Sequence, residues 1–272
     1  MIVQHNMAAL NTNRQLGATN TSLAKSTEKL SSGYRINRAG DDAAGLSISE
    51  KMRGQIRGLE QGSTNAQDGI SLIQTAEGAL NEVHSILQRM RELTVQAAND
   101  TNVEADRDAI AKEQTALVEE ITRIGEQTQF NTMNLLDGDF QDKYLQVGAN
   151  GEQSISIAID SMTADGLGVD GAADAMSSYD DATAFIETVD TAITAVSTQR
   201  SDLGAIQNRL EHTIANADNT AENLQAAESR IRDVNMAEEM VNYSKSSILQ
   251  QAGQSMLAQA NQQTQGVLSL LR

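Results

Sequence analysis

The side chains that could act as acids, bases or metal ligands are scattered through this sequence. Its three histidines, His5, His84 and His212, lie far apart along the chain, and cysteine is absent. Neither a His-Glu-x-x-His pair nor a glycine-rich phosphate loop accompanies them, so the spacings typical of zinc hydrolases and nucleotide-binding enzymes are missing. We therefore predict that the protein is not an enzyme and holds neither a metal nor a cofactor.

Two adjacent carboxylates, Asp41 and Asp42, follow a short segment bounded by Gly33 and Gly40. Aspartate is a favoured N-cap residue, and its charge complements the partial positive charge of a helix N-terminus. Because no further ligand lies at a suitable spacing, we interpret both aspartates as helix caps rather than metal ligands.

The chemistry that this sequence does favour is association between chains. Ser246–Leu271 is a run of 26 residues without charge, in a chain whose formal net charge is −17. Its apolar residues recur as on one face of a helix: Ile248, Ala252, Met256, Ala260, Val267 and Leu271. Glutamines fill much of the rest, and they can hydrogen-bond to a neighbouring chain without the desolvation cost of an ion. We predict a helix packed against copies of itself, with docking on its own core as the alternative.

The N-terminal segment resembles this tail in composition. Residues 1–30 have the period of a helix, and up to Ala24 Arg14 is the only charged side chain. We predict that the two ends pair as a two-helix coiled coil whose outer faces are also available for contact. The predicted assembly interface consists of Val3, Met7, Leu10, Leu16, Leu23, Leu249, Met256, Ala260, Val267 and Leu271.

Composition narrows the classes of partner. Residues 137–190 carry twelve acidic side chains and one lysine, a net charge of −11, whereas residues 1–40 have a net charge of +4. No basic face is large enough to neutralise several phosphates, so nucleic acid is not a predicted partner. Glutamines interrupt every apolar window long enough for a membrane span, so no membrane insertion is predicted. The start lacks a basic segment followed by an apolar run, which predicts no secretory signal peptide.

Three long segments between the ends have the period of helices, and no proline interrupts them. The first, residues 43–98, places apolar residues at steps of three and four: Met52, Ile56, Leu59, Ala66, Ile70, Ile73, Leu80, Val83, Leu87, Met90, Leu93 and Ala97. At this length it would run on the order of 80 Å, as a rod does. Its glycines at 54, 58, 62, 69 and 78 would suit close approach by a neighbouring helix.

The second helix is predicted around Ile110, Gln114, Leu117, Ile121 and Ile124, and it ends by Gln127 and folds back on the first. The third is predicted over residues 181–235 and continues into the uncharged tail. Its apolar steps include Val189, Val196, Leu203, Leu210 and Ala217.

The segment between the second and third helices is predicted to be partly β. Residues 127–140 have no regular pattern, and residues 143–160 alternate as a β-hairpin with Asn150-Gly151 at its turn. Tyr144, Gln146 and Gly148 mark one arm and Ile155, Ile157 and Ile159 the other. Residues 161–178 are expected to form a solvated connection.

The predicted fold class is therefore mainly α: a long antiparallel helical coiled-coil rod formed by the N- and C-terminal halves, with a small β-hairpin region at its outer end. We expect three regions. Residues 1–40 with 236–272 form the terminal helices, residues 41–136 with 181–235 form the rod, and residues 137–180 form an acidic, partly β region.

Several of these segments resemble bacterial flagellin. They are the start MIVQHNMAALNTNRQL, the run KLSSGYRINRAGDDAAGLSISEKMRGQIRGL, the segment LQRMRELTVQAAN, GEQTQFN, and the ending ANQQTQGVLSLLR. The resemblance covers roughly residues 1–140 and 180–272. The outer variable domains of many flagellins would be reduced here to residues 137–180.

The resemblance implies a structural subunit of the flagellar filament, a homopolymer in which the paired terminal helices form the inner tube. It implies secretion into the extracellular filament without a cleaved signal peptide, an export chaperone on the C-terminal helix, and contacts with filament cap and junction proteins. The alternatives are a flagellar hook-filament junction protein and, from another class, a cytoplasmic helical signalling rod.

The segment LQRMRELTV also resembles the patch that the flagellin-sensing Toll-like receptor five binds. The resemblance implies Arg89, Leu93 and, on the adjacent helix, Glu113 as receptor-binding residues. The alternative reading is that the charged residues Arg89 and Glu113 are ordinary solvated side chains of a helix surface.

Overall fold

The computed structural model describes residues 6–270 of the chain, with side chains as far as residue 263. In this part of the chain five α-helices dominate: α1 Met7–Ser32, α2 Ala43–Ala97, α3 Glu104–Gln127, α4 Tyr179–Arg232 and α5 Met236–Leu270. Two antiparallel strand pairs lie between α3 and α4: β1 Gln129–Phe130 with β2 Met133–Asn134, and β3 Lys143–Gln146 with β4 Ser154–Ile157. The predicted mainly α fold with long antiparallel helices and a small β-hairpin is confirmed.

The described residues belong to two compact units. One combines the chain up to Gly54 with the chain from Asn223 onward, and the other is Gln55–Glu222. The helices α2 and α4 each contribute residues to both units. The three regions expected from the sequence describe roles in an assembled protein, and they remain a prediction.

In the unit Gln55–Glu222, α2 runs antiparallel to α4. Ion pairs mark the register of the two helices, with Arg91 Nε 2.6 Å from Asp190 Oδ1 and Arg200 Nη2 3.6 Å from Glu77 Oε1. The apolar residues predicted to form the stripe of each helix face inward. Those that are fully buried include Leu80, Val83, Leu87, Val189, Val196, Leu203 and Leu210. Burying each such side chain contributes about 1.5–3 kcal/mol to the free energy of unfolding, relative to leaving it exposed. The apolar contact between α2 and α4 is therefore the main source of stability in the unit.

A buried polar contact fixes α3 against α2. Gln114 is fully buried, and its Nε2 donates to the backbone O of Met90 at 2.8 Å and to Thr94 Oγ1 at 3.0 Å. Thr94 Oγ1 donates in turn to the O of Met90 at 2.7 Å. Oε1 of the same amide is buried without a hydrogen-bond partner, so these bonds satisfy the donor side of Gln114 only, and they favour this alignment of α3 along α2.

The hairpin of β3 and β4 covers part of α2. In its register Leu145 lies opposite Ile155, and Ile155, Ile157 and Ile159 are buried. The alternation predicted on the first arm is out of step, because Tyr144 points outward, and Leu145 and Val147 share the buried side with the isoleucines. The predicted hairpin and its turn at residues 150 and 151 are confirmed.

Glycines of α2 lie beneath this hairpin. A Cβ placed on Gly62 would lie 2.7 Å from the backbone carbonyl carbon and oxygen of Val147, and one on Gly58 would lie 2.7 Å from Ala149 Cβ. A Cβ on Gly69 would collide with Leu145 Cδ1. The small residues therefore permit close approach by a β-hairpin. The prediction that a helix approaches there is wrong for Gly58 and Gly62.

Two further expectations for the middle of the chain are wrong. Residues 127–140, expected to be irregular, contain the short β1–β2 pair. Residues 161–178, expected to be solvated, contain two 3₁₀ turns at Asp170–Ala172 and Asp174–Met176, and they bury Met162, Ala164, Leu167, Val169, Ala172 and Met176. These side chains belong to the same apolar core as the helices.

In the other unit, the third predicted helix does not continue into the tail. It ends at Arg232, and α5 begins at Met236 with Asn235 before it, whose Oδ1 accepts from the N–H of Glu238 at 3.5 Å. The break pairs with the loop after α1: the N–H of Val234 donates to the O of Gly33 at 3.0 Å. The guanidinium of Arg232 also lies 4.8 Å from the centre of the Tyr34 ring.

The two predicted caps play different parts. Asp42 caps α2, because its Oδ1 accepts from the N–H of Gly45 at 2.8 Å. Asp41 instead closes the preceding loop by accepting from the N–H groups of Arg38 at 3.1 Å and Asn37 at 3.3 Å. The bond from Arg38, followed by that from Asn37, lowers the pKa of the Asp41 carboxyl below its usual value. The capping prediction is confirmed for Asp42 and wrong for Asp41.

Candidate assembly surface

The terminal helices α1 and α5 pack side by side in opposite directions. Asn6 Nδ2 donates to the backbone O of Ala260 at 3.0 Å, and Gln250 Nε2 donates to Asn20 Oδ1 at 2.9 Å. Asn6 also caps α1, since its Oδ1 accepts from the N–H of Ala9 at 3.1 Å. Uncharged polar side chains thus hold the register between the two ends of the sequence.

The contact between these helices buries polar groups. In α1, Ser26 is the side chain that is buried, and in α5 the buried side chains described are Glu239 and Ser246. The Nζ of Lys29 lies 3.9 Å from Glu239 Oε2 and provides this carboxylate with a cation. The described part of the pair therefore has little apolar core of its own.

Gly253 of α5 allows α1 and α5 to approach each other closely. A Cβ on Gly253 would lie 3.2 Å from Leu16 Cδ1, tighter than an ordinary van der Waals contact. Beside this contact a groove of about 390 Å³ runs between the helices, with Gln15 and Thr19 on one wall and Leu249 and Met256 on the other.

Several large apolar side chains of the pair remain exposed. Met7 and Leu10 on α1, and Ile248, Leu249 and Met256 on α5, are each between 50% and 67% exposed. We call these five residues the assembly face. Large apolar side chains left exposed on charge-poor helices are typical of a surface that another protein covers.

The other predicted interface residues are placed as follows. Leu16, Leu23 and Ala260 are half-buried, and Leu16 and Ala260 lie against the other helix of the pair. Val3, Leu271 and the side chain of Val267 lie outside the described residues. The structure thus separates the predicted set into half-buried side chains and side chains that are at least half exposed.

The residues assigned to receptor binding lie in the unit Gln55–Glu222. Arg89 bridges α2 and α3, with its Nε 3.0 Å and its Nη2 2.9 Å from Glu113 Oε1, and its Nη1 is 3.1 Å from Glu92 Oε2. Arg89 and Glu113 are about half exposed. Leu93 is only 2% exposed and packs in the core, so it can support this surface only from below.

Sequence comparison with known families accounts for both ends of the chain. The family described as bacterial flagellin N-terminal helical region matches residues 3–141, and that described as bacterial flagellin C-terminal helical region matches residues 186–271. The chain belongs to the flagellin family. The matched segments include α1 and α5, and therefore the assembly face.

Individual relatives agree over the full length of this flagellin sequence. It is 58% identical to a flagellin of Halalkalibacterium halodurans and 53% identical to a flagellin of Bacillus subtilis, and each alignment covers all of both chains. Among solved structures, a putative flagellar hook-associated protein from Vibrio parahaemolyticus matches with a TM-score of 0.58 at 13% identity. That match covers 71% of this chain and all of the other, and at this identity it shows the fold alone.

The exposed apolar surface of the flagellin chain extends beyond the residues selected from sequence. Met236, Met240 and Val241 on the first turns of α5 are about half exposed or more, and Met240 and Val241 line a shallow groove of about 500 Å³ with Ile248 and Leu249. These three residues precede Ser246, where the uncharged run begins, so the interface predicted from that run does not include them. Met240 and Val241 precede Ile248 and Leu249 by eight residues, and Met236 precedes Met240 by four, which is the spacing of one helix face.

The histidines of the chain do not come together in the described structure. His84 is half-buried on α2 with its Nε2 2.9 Å from Gln88 Nε2, His212 is on α4, and His5 lies outside the described residues. Within the described chain, no three histidine, aspartate or glutamate side chains are grouped to hold a metal ion. None of the described helices has the length and apolar character needed to cross a membrane.

Proposed function

We propose that this flagellin, a structural subunit of the bacterial flagellar filament, joins its neighbours through the assembly face of α1 and α5. The observation that carries the proposal is the combination of exposed apolar side chains with the absence of charge. Five apolar side chains that are at least half exposed lie on α1 and α5, and α5 carries no charge from Ser246 to its end at Leu270.

Burial explains why such a surface suits a polymer. Covering apolar surface contributes about 25 cal/mol per Å², and a subunit with neighbours on several sides gains this at each contact. The glutamines between the apolar residues can pair across the contact at lower desolvation cost than lysine or glutamate. Sedimentation of purified protein after a heating and cooling cycle tests the function, because filaments pellet and free subunits do not. A chain that never yields fibres would contradict it.

We infer that the chain reaches the extracellular filament by flagellar export without cleavage of a signal peptide, and that it is not an enzyme. The other proposed partners are an export chaperone, which would bind the exposed apolar surface of α5, and the filament cap and junction proteins. The groove along Met240, Val241, Ile248 and Leu249 supports the chaperone proposal, because such a surface would need cover before assembly.

The structure of the terminal pair predicts weak protection in the free subunit. Since Ser26 is the buried side chain of α1, the pair lacks the apolar burial that stabilises the other unit. Hydrogen exchange measured on monomer should be fast in α1 and α5 and slow in α2 from Leu72 to Leu93. Slow exchange in both terminal helices, in a sample shown to be monomeric by sedimentation, would contradict this expectation.

A second proposed role is recognition by the Toll-like receptor five at Arg89 and Glu113. The supporting observation is that the two side chains are half exposed and hold each other across α2 and α3, so that they present one ordered polar surface. We propose that Leu93 acts indirectly, by packing beneath that surface.

Each of the two variants Arg89→Ala and Glu113→Ala should weaken receptor binding, because each removes one partner of the ordered ion pair. Exposed ion pairs contribute little to folding, so the melting temperature should change little in both variants. Binding of the purified receptor ectodomain to each variant, measured by surface plasmon resonance, checks the expectation. Arg123, which pairs with Glu120 on the surface of α3, provides a matched control. Unchanged binding in both test variants would remove the assignment.

A hook-filament junction protein was the alternative with a related fold. The full-length relatives at 58% and 53% identity are flagellins, and this favours the filament subunit over the junction protein. Membership of a structural family likewise leaves no support for the cytoplasmic signalling rod.

A further inference from the structure

We propose that Asn150 is a site of spontaneous deamidation, in which the backbone nitrogen of Gly151 is the nucleophile. The two residues form the only Asn-Gly pair in the sequence, and they lie in the loop that joins β3 to β4. Both are exposed. The chain thus places the dipeptide best suited to this reaction where water can reach it.

The hydrogen bonds of the loop hold the backbone and leave the reacting groups open. The N–H of Asn150 donates to Gln153 Oε1 at 3.0 Å, and its carbonyl accepts from Gln146 Nε2 at 2.7 Å. Among the described residues, no partner is found for the side-chain amide of Asn150 or for the N–H of Gly151. Neither group must give up a protein hydrogen bond before it reacts.

The fold does not require glycine at position 151. A Cβ there would meet no atom within 4 Å, and the φ of Gly151 lies outside the left-handed region. The left-handed residue of the loop is Glu152, with φ of 66°. What Gly151 does provide is a backbone nitrogen that no adjacent side chain shields, and this is the feature that the reaction needs.

The reaction is balanced with water as the only co-reactant. The Gly151 nitrogen loses its proton to solvent and attacks Cγ of Asn150, a C–N bond forms, and the side-chain nitrogen leaves as ammonia. Water then opens the resulting five-membered imide. Cleavage of the bond to Cγ gives aspartate, and cleavage of the bond to the backbone carbonyl carbon gives isoaspartate, in which the chain runs through the side chain.

The two products differ in their effect on the hairpin. Aspartate adds one negative charge and leaves the backbone path intact. Isoaspartate inserts a carbon into the backbone, which displaces the carbonyl that Gln146 holds and moves the adjacent Ala149 against Gly58 of α2, where the contact is already close. We therefore expect isoaspartate to loosen the hairpin from the helix.

The test is incubation of the folded protein at neutral and alkaline pH, followed by peptide mass spectrometry and labelling with an isoaspartate-specific methyltransferase. Asn150 should gain the mass that marks replacement of an amide nitrogen by oxygen, the rate should rise with hydroxide concentration, and methyl label should appear on the same peptide. Asn81, which is exposed but has a helical backbone in α2, should stay intact over the same period.

The variant Gly151→Ala provides the matched control, because the structure has room for its methyl group. It should keep the circular dichroism spectrum and melting temperature of the parent and lose most of the modification at Asn150. Asn150→Gln should lose it as well, since the longer side chain would have to close a six-membered ring. An equal rate in Gly151→Ala, or faster deamidation at Asn81 than at Asn150, would overturn the proposal.

Discussion

Replacing Met256 with glutamate should abolish filament formation and leave the free subunit folded. Met256 is 59% exposed on the assembly face, so the isolated chain can keep a carboxylate there in water. In a filament every subunit would have to bury that charge, at several kcal/mol per site unless a cation compensates. The sequence provides none between Lys245 and Arg272. Electron microscopy and sedimentation should therefore show no filaments, whereas the thermal unfolding of the monomer should stay within about 0.5 kcal/mol of the parent.

Met256→Gln separates charge from shape, because glutamine matches glutamate in size and is already frequent along α5. This variant should still polymerise. Ala260→Asp should fail to polymerise as well, but it also disturbs the monomer, since Ala260 is half-buried against α1 and its carbonyl accepts from Asn6. If Met256→Glu formed straight, full-length filaments, the assembly face would be wrong. If Met256→Gln failed equally, the charge would not be the cause.

The long helices were predictable from the sequence because one physical signal repeats along them. A helix that packs along its whole length must place apolar side chains at steps of three and four residues. None of the twelve apolar residues predicted to lie on the packed side of α2 is exposed. The start of α2 followed from the cap predicted at Asp42, and the ends of α2 and α3 followed from the loss of that period.

The break between α4 and α5 was missed because it interrupts the helix without interrupting the apolar period. Neither glycine nor proline marks it. The local signal was Asn235 followed by Glu238 three residues later, which is the pattern of a helix N-cap and its first turn. What fixes the break is a long-range contact, in which Gly33 and Arg35 pair with the backbone of residues 232–234. No local pattern records a partner two hundred residues away.

The packed segment from residue 161 to 178 was missed for a different reason. Its buried side chains, such as Met162, Val169 and Met176, follow no regular period because the chain forms turns and 3₁₀ segments there. Frequent glycine, aspartate and serine suggested solvent, although scattered apolar residues can still be directed inward by neighbouring elements. The composition of a loop therefore did not predict its burial.

For the candidate surfaces, the sequence predicted which helices take part better than it predicted which way each side chain points. The charge-free ends identified α1 and α5, but only the structure distinguishes Met256, which is 59% exposed, from Leu16 and Ala260, which are half-buried. Likewise Leu93 belongs to the same segment as Arg89 and yet is buried. Orientation about a helix depends on which neighbours pack against it, and both ends of this chain have the same amphipathic composition.

Replacing Gly62 with alanine should destabilise the unit Gln55–Glu222 although alanine is the better helix former. The new methyl carbon would lie 2.7 Å from the backbone carbonyl of Val147 and 3.1 Å from the backbone nitrogen of Gly148, and backbone atoms cannot rotate away as a side chain can. The hairpin must therefore shift, which weakens the bond from Asn65 Nδ2 to the carbonyl of Gln146, now 2.9 Å. Overpacking of this kind costs about 1–3 kcal/mol, and urea unfolding followed by circular dichroism measures it.

Gly78→Ala is the matched control on the same helix. A Cβ at Gly78 would meet no atom within 4 Å, so only the helix propensity changes, and the variant should be more stable by up to about 1 kcal/mol. The same substitution thus has opposite signs at two glycines sixteen residues apart, because one lies under the hairpin and the other faces open space. If Gly62→Ala stabilised the protein as much as Gly78→Ala does, the hairpin would not approach α2 at Gly62, and the role assigned to that glycine would be wrong.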